Sequence, residues 1–371
     1  MHPSASRNPL IDAFKGLACA AIVWHHLAFY GPMSDIAQPL WPGAVAWLYD
    51  YGRMAVQVFL VLGGYLAAAS LAPLGVARFD SASVLVTRRF VRLVVPYAAA
   101  LVLAVLAAAL VRPWLDDASV PGEPSLPQLL ANALLLQDIV GEEALSAGAW
   151  YVAIDFQLFA LTCLLFAAVR SVPGLAPRRR VRWAQALVVL ATAASLWGFN
   201  RDSGLDMWGV YFFGSYGLGV LAFWAVRAPR ATRWLAVMAV LGALALALDF
   251  RLRIAVAWAV ALGLVGVMRS PAVPAWPGMA ALQRLGQMSY SVFLVHFPVC
   301  LVVNAVVGQL WPQSPTWNAA GMLLAFGLSL VAGRQLYEQV ERRVPSWTLA
   351  LRWQAGLVGT GVLVALADNF P

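Results

Sequence analysis

Four ionisable side chains stand in the first apolar segment, Leu10 to Tyr30: Asp12 and Lys15 near its start, His25 and His26 near its end. Imidazole can take up or release a proton, an ammonium can hold an anion, and a carboxylate can orient either one. Such groups are costly inside a membrane span and usually face a polar cavity or a partner. On a helix the eleven residues from Lys15 to His26, at about 100° each, bring the two to within roughly 20° of one face, about 16 Å apart along the axis. Asp12, three residues before Lys15, lies on that face and within pairing reach. His25 falls roughly 80° away from Lys15, the place of a packing or supporting residue with a satisfied hydrogen bond. Lys15 is the only lysine of the chain, the other 24 basic residues being arginine. This face reads as the wall of a reaction or transport path.

The elements that position it must be membrane helices. With 62% hydrophobic residues, 11% charged residues and a mean hydropathy of +0.76, the chain is not a soluble globule, whose apolar and charged shares are about 45–50% and 25%. Ten apolar runs, most near the roughly 20 residues a helix needs to cross, predict an all-α polytopic bundle: Leu10–Tyr30, Met54–Leu74, Leu93–Val111, Ala149–Val169, Trp183–Phe199, Met207–Val226, Trp234–Leu248, Ile254–Met268, Ser289–Leu310 and Trp317–Leu336. The seventh and eighth are short, which places Asp249, Arg251 and Arg253 between them at an interface or in a protein-lined pocket. Gln354–Ala367 is short for a span and would be an eleventh if it crosses. Leu126–Val140 is read as a re-entrant or interfacial segment on the outer face, because a further span there would put Arg178–Arg180 on the wrong side.

Threaded with the N-terminus in the cytoplasm, the chain places 19 of its 24 arginines inside and only Arg53, Arg112, Arg201, Arg251 and Arg253 outside. The net charge of +8 is therefore mostly topological and does not point to nucleic acid. A cysteine placed at Ser81 is expected to resist an impermeant thiol reagent in intact cells while one at Ser119 reacts; labelling at Ser81 would reverse the orientation. The first segment is expected to remain as a helix, being long, charged and followed by Pro/Trp-rich sequence. Cys19, Cys163 and Cys300 each lie within an apolar run, which argues against a disulfide framework, and they lack metal-ligand spacing. Residues 1–371 are read as one integral-membrane domain with no separate soluble domain.

Several stretches together resemble the acyltransferase 3 family, integral-membrane acyltransferases that modify bacterial surface glycans and related acceptors. Ile11-Asp12-Ala13-Phe14-Lys15-Gly16-Leu17 is similar to the opening motif, and the family's basic residue, ten-residue gap and histidine fall on Lys15 and His26. Gly52-Arg53-Met54-Ala55-Val56-Gln57-Val58-Phe59-Leu60-Val61-Leu62-Gly63-Gly64-Tyr65 resembles a second stretch, with Ala55 where glycine is usual and Gly63 where serine is usual. Arg88-Arg89-Phe90-Val91-Arg92-Leu93-Val94-Val95-Pro96-Tyr97 follows the family pattern at the mouth of the third span. In Trp150-Tyr151-Val152-Ala153-Ile154-Asp155-Phe156-Gln157 the family's glutamate is replaced by Asp155. The stretch from Leu285 to Pro298, with His296, is similar to the late span, and Tyr337 to Arg343 keeps the tyrosine and Glu341 but has Arg343 where proline is common.

The resemblance implies an acyl-CoA-dependent O-acyltransferase of the bacterial inner membrane. An acyl group, most simply acetyl, would pass from cytoplasmic acyl-CoA to a hydroxyl of a glycan or lipid-linked sugar at the outer half of the membrane. No permanently bound cofactor and no metal are implied; acyl-CoA is the donor substrate. His26 would be the general base or transient acyl carrier, and Lys15 would stabilise donor charge or hold Asp12. Arg88, Arg89 and Arg92, spaced to make one compact cationic face, would grip the donor phosphates through their forked guanidinium groups. Asp155 would either orient an imidazole or neutralise an arginine such as Arg53. His25, Arg53 and Tyr65 would support the site from behind, whereas His296, next to Phe297-Pro298, reads as a satisfied histidine at a kink. Competing readings are a transporter or lipid flippase without covalent chemistry, an exporter feeding a separate periplasmic acyltransferase, and a non-catalytic subunit of a glycan-export complex.

Overall fold

The computed structural model describes residues 8–270 and 277–368. Among these residues the regular structure is helical: α1 (Pro9–Phe29), α2 (Pro32–Ala37), α3 (Pro42–Tyr51), α4 (Ala55–Leu71), α5 (Ala82–Val111), α6 (Leu126–Ala133), α7 (Gln137–Val140), α8 (Ala149–Arg170), α9 (Pro177–Trp197), α10 (Gly209–Arg227), α11 (Thr232–Leu248), α12 (Leu252–Arg269), α13 (Met279–Gln287), α14 (Ser289–Leu310), α15 (Pro315–Leu336) and α16 (Trp347–Asp368). Helix is the form that satisfies every backbone group of an apolar run within the run itself. Local signals set the ends: Asn8 accepts from the backbone N–H groups of Leu10 and Ile11 with Pro9 at the first position of α1, and Ser125 and Gln128 close a reciprocal capping box on α6.

Among the described residues nine helical stretches are long and apolar enough to cross a membrane, so the protein is a multi-pass membrane protein. Two details differ from the sequence reading, and a third agrees with it. Gln354–Ala367 is part of the 22-residue helix α16, which is long enough to cross. The second span begins earlier, because a 3₁₀ turn at Gly52–Met54 joins α3 to α4 in a 30-residue stretch, Pro42–Leu71. Leu126–Val140 forms two short helices, α6 and α7, neither long enough to cross. At 30 residues α5 is about 45 Å long, more than the roughly 30 Å of hydrocarbon, which leaves room for its arginine-bearing start outside the apolar layer.

Two compact units divide the described residues, one lying within 1–55, 91–152 and 278–371, the other within 56–90 and 153–277. In the first, α1 lies backbone to backbone on α13: a Cβ on Gly16 would enter the Leu282 carbonyl, and one on Gly286 the Asp12 carbonyl. Small residues allow this approach, and close packing is what holds membrane helices together. Gly286→Val is therefore expected to lower the thermal unfolding temperature in detergent by several degrees, overpacking costing about 1–3 kcal/mol. Stacking of Trp24 on Phe326, centroids 5.0 Å apart, adds α15 to the other side of α1. The Tyr290 hydroxyl donates to the Leu93 carbonyl at 3.0 Å, and Gln354 donates to that of Ala133 at 2.7 Å, docking α14 on α5 and α16 on α6.

In the second unit Gly64 and Gly219 bring α4 and α10 into similar contact, against the carbonyls of Tyr216 and Val61. Gly217 meets Thr192 and Gly214 meets Leu196 on α9. Arg251 and Arg253 turn inward to the end of α9. Arg251 donates to Asn200 Oδ1 at 2.6 Å and to the Leu196 carbonyl at 2.7 Å, and Arg253 to the Asn200 carbonyl at 3.1 Å. These bonds satisfy carbonyls left open at a helix C-terminus.

Candidate functional site

In the first unit α1 presents His26 to α14. His26 Nδ1 lies 2.6 Å from His296 Nε2, the rings nearly parallel with centroids 4.8 Å apart. Both are buried, 8% and 1% exposed, so the pair is screened from bulk water and from the lipid. His296 Nδ1 in turn lies 2.6 Å from the Phe293 carbonyl one turn back on α14. The Tyr30 ring covers His26 at 5.4 Å and meets Phe297 edge-on. Gly148, with φ of +81°, leaves room for the Phe293 ring, into which any Cβ there would run. His25 points elsewhere and bonds the Leu48 carbonyl through Nδ1 at 2.9 Å.

At the start of α1, Asp12 is buried and Lys15 partly buried. The charges of Lys15 and of Arg92 on α5 both act on the carboxylate of Glu341, which accepts from the Ser291 hydroxyl at 2.6 Å. Glu341 closes a single π turn, Tyr337–Glu341, after α15; such turns are frequent where a helix must re-aim a functional side chain. The imidazole pair and this charged group thus lie at separated levels of the same helix, since Lys15 and His26 differ by about 16 Å of rise.

The second unit holds Arg88, Arg89, Asp155 and Tyr65, whereas Arg53 and Arg92 belong to the first. The Asp155 carboxylate accepts from Arg89 at 2.5 Å, and the Arg89 guanidinium lies over the Phe159 ring at 5.3 Å. Arg89, not Arg53, is thus the arginine beside Asp155, and His296 is the residue that meets His26 Nδ1. Arg89→Gln is expected to cost about 1.5–3 kcal/mol in thermal stability, the usual value of a hydrogen bond to a charged group, because it leaves a mostly buried carboxylate uncompensated. Arg89→Gln combined with Asp155→Asn should recover part of that loss in the same unfolding assay. Arg88 and Arg92 are exposed on α5, as is Arg53 at the turn before α4. Tyr65 is buried, edge-on to Phe223 at 5.1 Å. Among the described residues no cluster of three or more potential metal ligands occurs.

Sequence reasoning passed over His296 as a partner. Its signal, a histidine two residues before Pro298 in an apolar helix, is the same for a kink as for a reaction partner. Glu341 was recognised only as a motif position.

A multi-pass helical bundle with a coupled imidazole pair buried among its spans belongs to the class of membrane proteins equipped to move a proton or an acyl group inside the apolar layer. A family model described as an acyltransferase domain matches residues 8–334, and the chain belongs to this acyltransferase 3 family. Its general activity is accordingly that of a membrane acyltransferase. No match was found among curated proteins or among solved structures.

Proposed function

We propose that the protein takes an acyl group, most simply acetyl, from cytoplasmic acyl-CoA and delivers it to a hydroxyl of a glycan or glycolipid at the outer half of the bacterial inner membrane, with its own N-terminus in the cytoplasm. The observation that carries this reading is the buried pairing of His26 and His296 in a chain of the acyltransferase family. A thioester needs no metal to acylate an alcohol, but the hydroxyl must lose its proton as it attacks the thioester carbon. His26 accepts that proton. The C–S bond then breaks, and the proton passes to the departing CoA sulfur, so one O–H and one thioester become one ester and one thiol. If the acyl group rests first on His26, the same proton balance holds over two displacements.

The donor carries several phosphates, which suit the exposed guanidinium groups of Arg88 and Arg92. Lys15 and Glu341 keep the inner end of α1 polar. The test is acyl transfer from radiolabelled acetyl-CoA by purified protein in liposomes, with the membrane glycolipid fraction of the native cells as acceptor. Label in ester linkage to that fraction supports the proposal. Movement of lipid across the bilayer with no labelled ester would identify a flippase, and release of label that becomes an ester only when a second, extracytoplasmic protein is added would identify an exporter.

A further inference from the structure

We infer that His296 is a positioning residue that locks His26 in the tautomer with its proton on Nδ1, so that Nε2 of His26 is the atom that takes the acceptor proton. This rests on the acyl-transfer reading for its catalytic part and on geometry alone for its tautomeric part. The geometry is a chain of two bonds, each with its direction set by chemistry. A carbonyl oxygen only accepts, so the contact between His296 Nδ1 and the Phe293 oxygen requires the proton on His296 Nδ1. Neutral imidazole carries one N–H, so His296 Nε2 then offers a lone pair. The contact at 2.6 Å to His26 Nδ1 can be a hydrogen bond only if His26 donates. His26 is left with a bare Nε2, and among the described residues its hydrogen bond is made through Nδ1 alone.

A neutral pair is the favoured state at this depth, because an imidazolium among buried apolar side chains loses its hydration. The arrangement also serves the charged state. When His26 Nε2 takes the acceptor proton, the positive ring donates through Nδ1 to the His296 lone pair, and the Phe293 carbonyl stabilises the far end. The excess proton is shared across two rings without a carboxylate. A buried carboxylate would bind its proton partner more strongly but would itself require a counter-charge within the apolar layer whenever His26 is neutral. Neighbouring side chains agree with this reading: the Tyr30 ring lies against His26 and the Phe293 ring against His296, and the His25 Nδ1 is occupied by the Leu48 carbonyl.

Two side chains separate this role from simple packing. His296→Gln keeps an acceptor oxygen near the position of Nε2, whereas His296→Leu keeps bulk and removes the acceptor. Solid-state nitrogen NMR of the ¹⁵N-histidine protein in liposomes reads the tautomer without any substrate. The chain has four histidines, so the His26 signals can be assigned by their loss in His26→Ala, with His2 and His25 replaced singly as controls. The parent and His296→Gln should show His26 protonated at Nδ1 and bare at Nε2, and His296→Leu should show a mixture of tautomers. In the acetyl-CoA assay kcat should fall on the order of 10²-fold in His296→Leu, within the range for general-base assistance, with KM for acetyl-CoA within about twofold, and Gln should restore most of the loss. A parent His26 protonated at Nε2, or a tautomer unchanged in His296→Leu, would overturn the inference whatever the activity. Should the tautomer shift while kcat of His296→Leu stays at the parent value, the positioning role is wrong. If the parent transfers no acyl group at all, the proposed function fails while the NMR result still decides the tautomer.

Discussion

His26→Ala is expected to abolish acyl transfer while leaving the protein folded and in the membrane. General-base assistance is typically worth about 10² to 10⁴ in rate, and here the base is a single buried ring with no second imidazole placed to replace it: His296 uses both nitrogens, one toward His26 and one toward Phe293, and His25 is bonded to Leu48. The control is His25→Ala, which loses the Leu48 bond and ring contacts with Phe29 and His26 but leaves the bond between His26 and His296 in place, and should cost no more than a few-fold. The measurement is initial-rate transfer from labelled acetyl-CoA, normalised to folded protein by size-exclusion chromatography. A loss of only a few-fold in folded His26→Ala would move the chemistry elsewhere. An inactive His25→Ala beside an active His26→Ala would shift the family histidine by one residue and undo the shared face of Lys15 and His26.

Replacing both Arg88 and Arg92 by Gln should weaken CoA binding by about tenfold or more. Each charge-assisted bond to a phosphate is worth about 1.5–3 kcal/mol when well formed, and exposure at the start of α5 trims this through solvent screening. Raising the salt should weaken binding to the parent as well, since the Debye length falls from about 10 Å at 0.1 M to 3 Å at 1 M. Isothermal titration with CoA in detergent reads both effects. Arg89 is left in place because its guanidinium already serves Asp155, so its loss would perturb the fold as well as any donor contact. Unchanged affinity in a folded double variant, together with insensitivity to salt, would leave the two arginines a topological role only.

Much of this protein is legible along the chain because its decisive signals are local. An apolar run of about 20 residues in lipid must become a helix, and asparagine and proline at Asn8 and Pro9 mark where the first one starts. The helical period alone puts Lys15 and His26 on one face of α1. Length was judged less well where charge interrupts the run: α16 extends upstream of Gln354 through Trp347 and Arg352, because a helix tolerates an arginine that can reach the interface.

By itself the sequence determined a polytopic helical membrane protein and the family motifs, both of them consequences of composition and short-range spacing. Tertiary structure alone decided which polar side chains meet. His26 and His296 are 270 residues apart, and their contact depends on the rotation of α1 and α14 about their axes, which periodicity within either helix does not specify. The same holds for Glu341, brought to Ser291 with Lys15 and Arg92 acting on it, and for Asp155, which lies beside Arg89 although Arg53 offered the same charge. A buried polar group must find a partner, but several residue types satisfy that need equally well. Backbone approach at Gly16, Gly286, Gly64 and Gly219 brings the helices close, and that packing decides which partner is within reach.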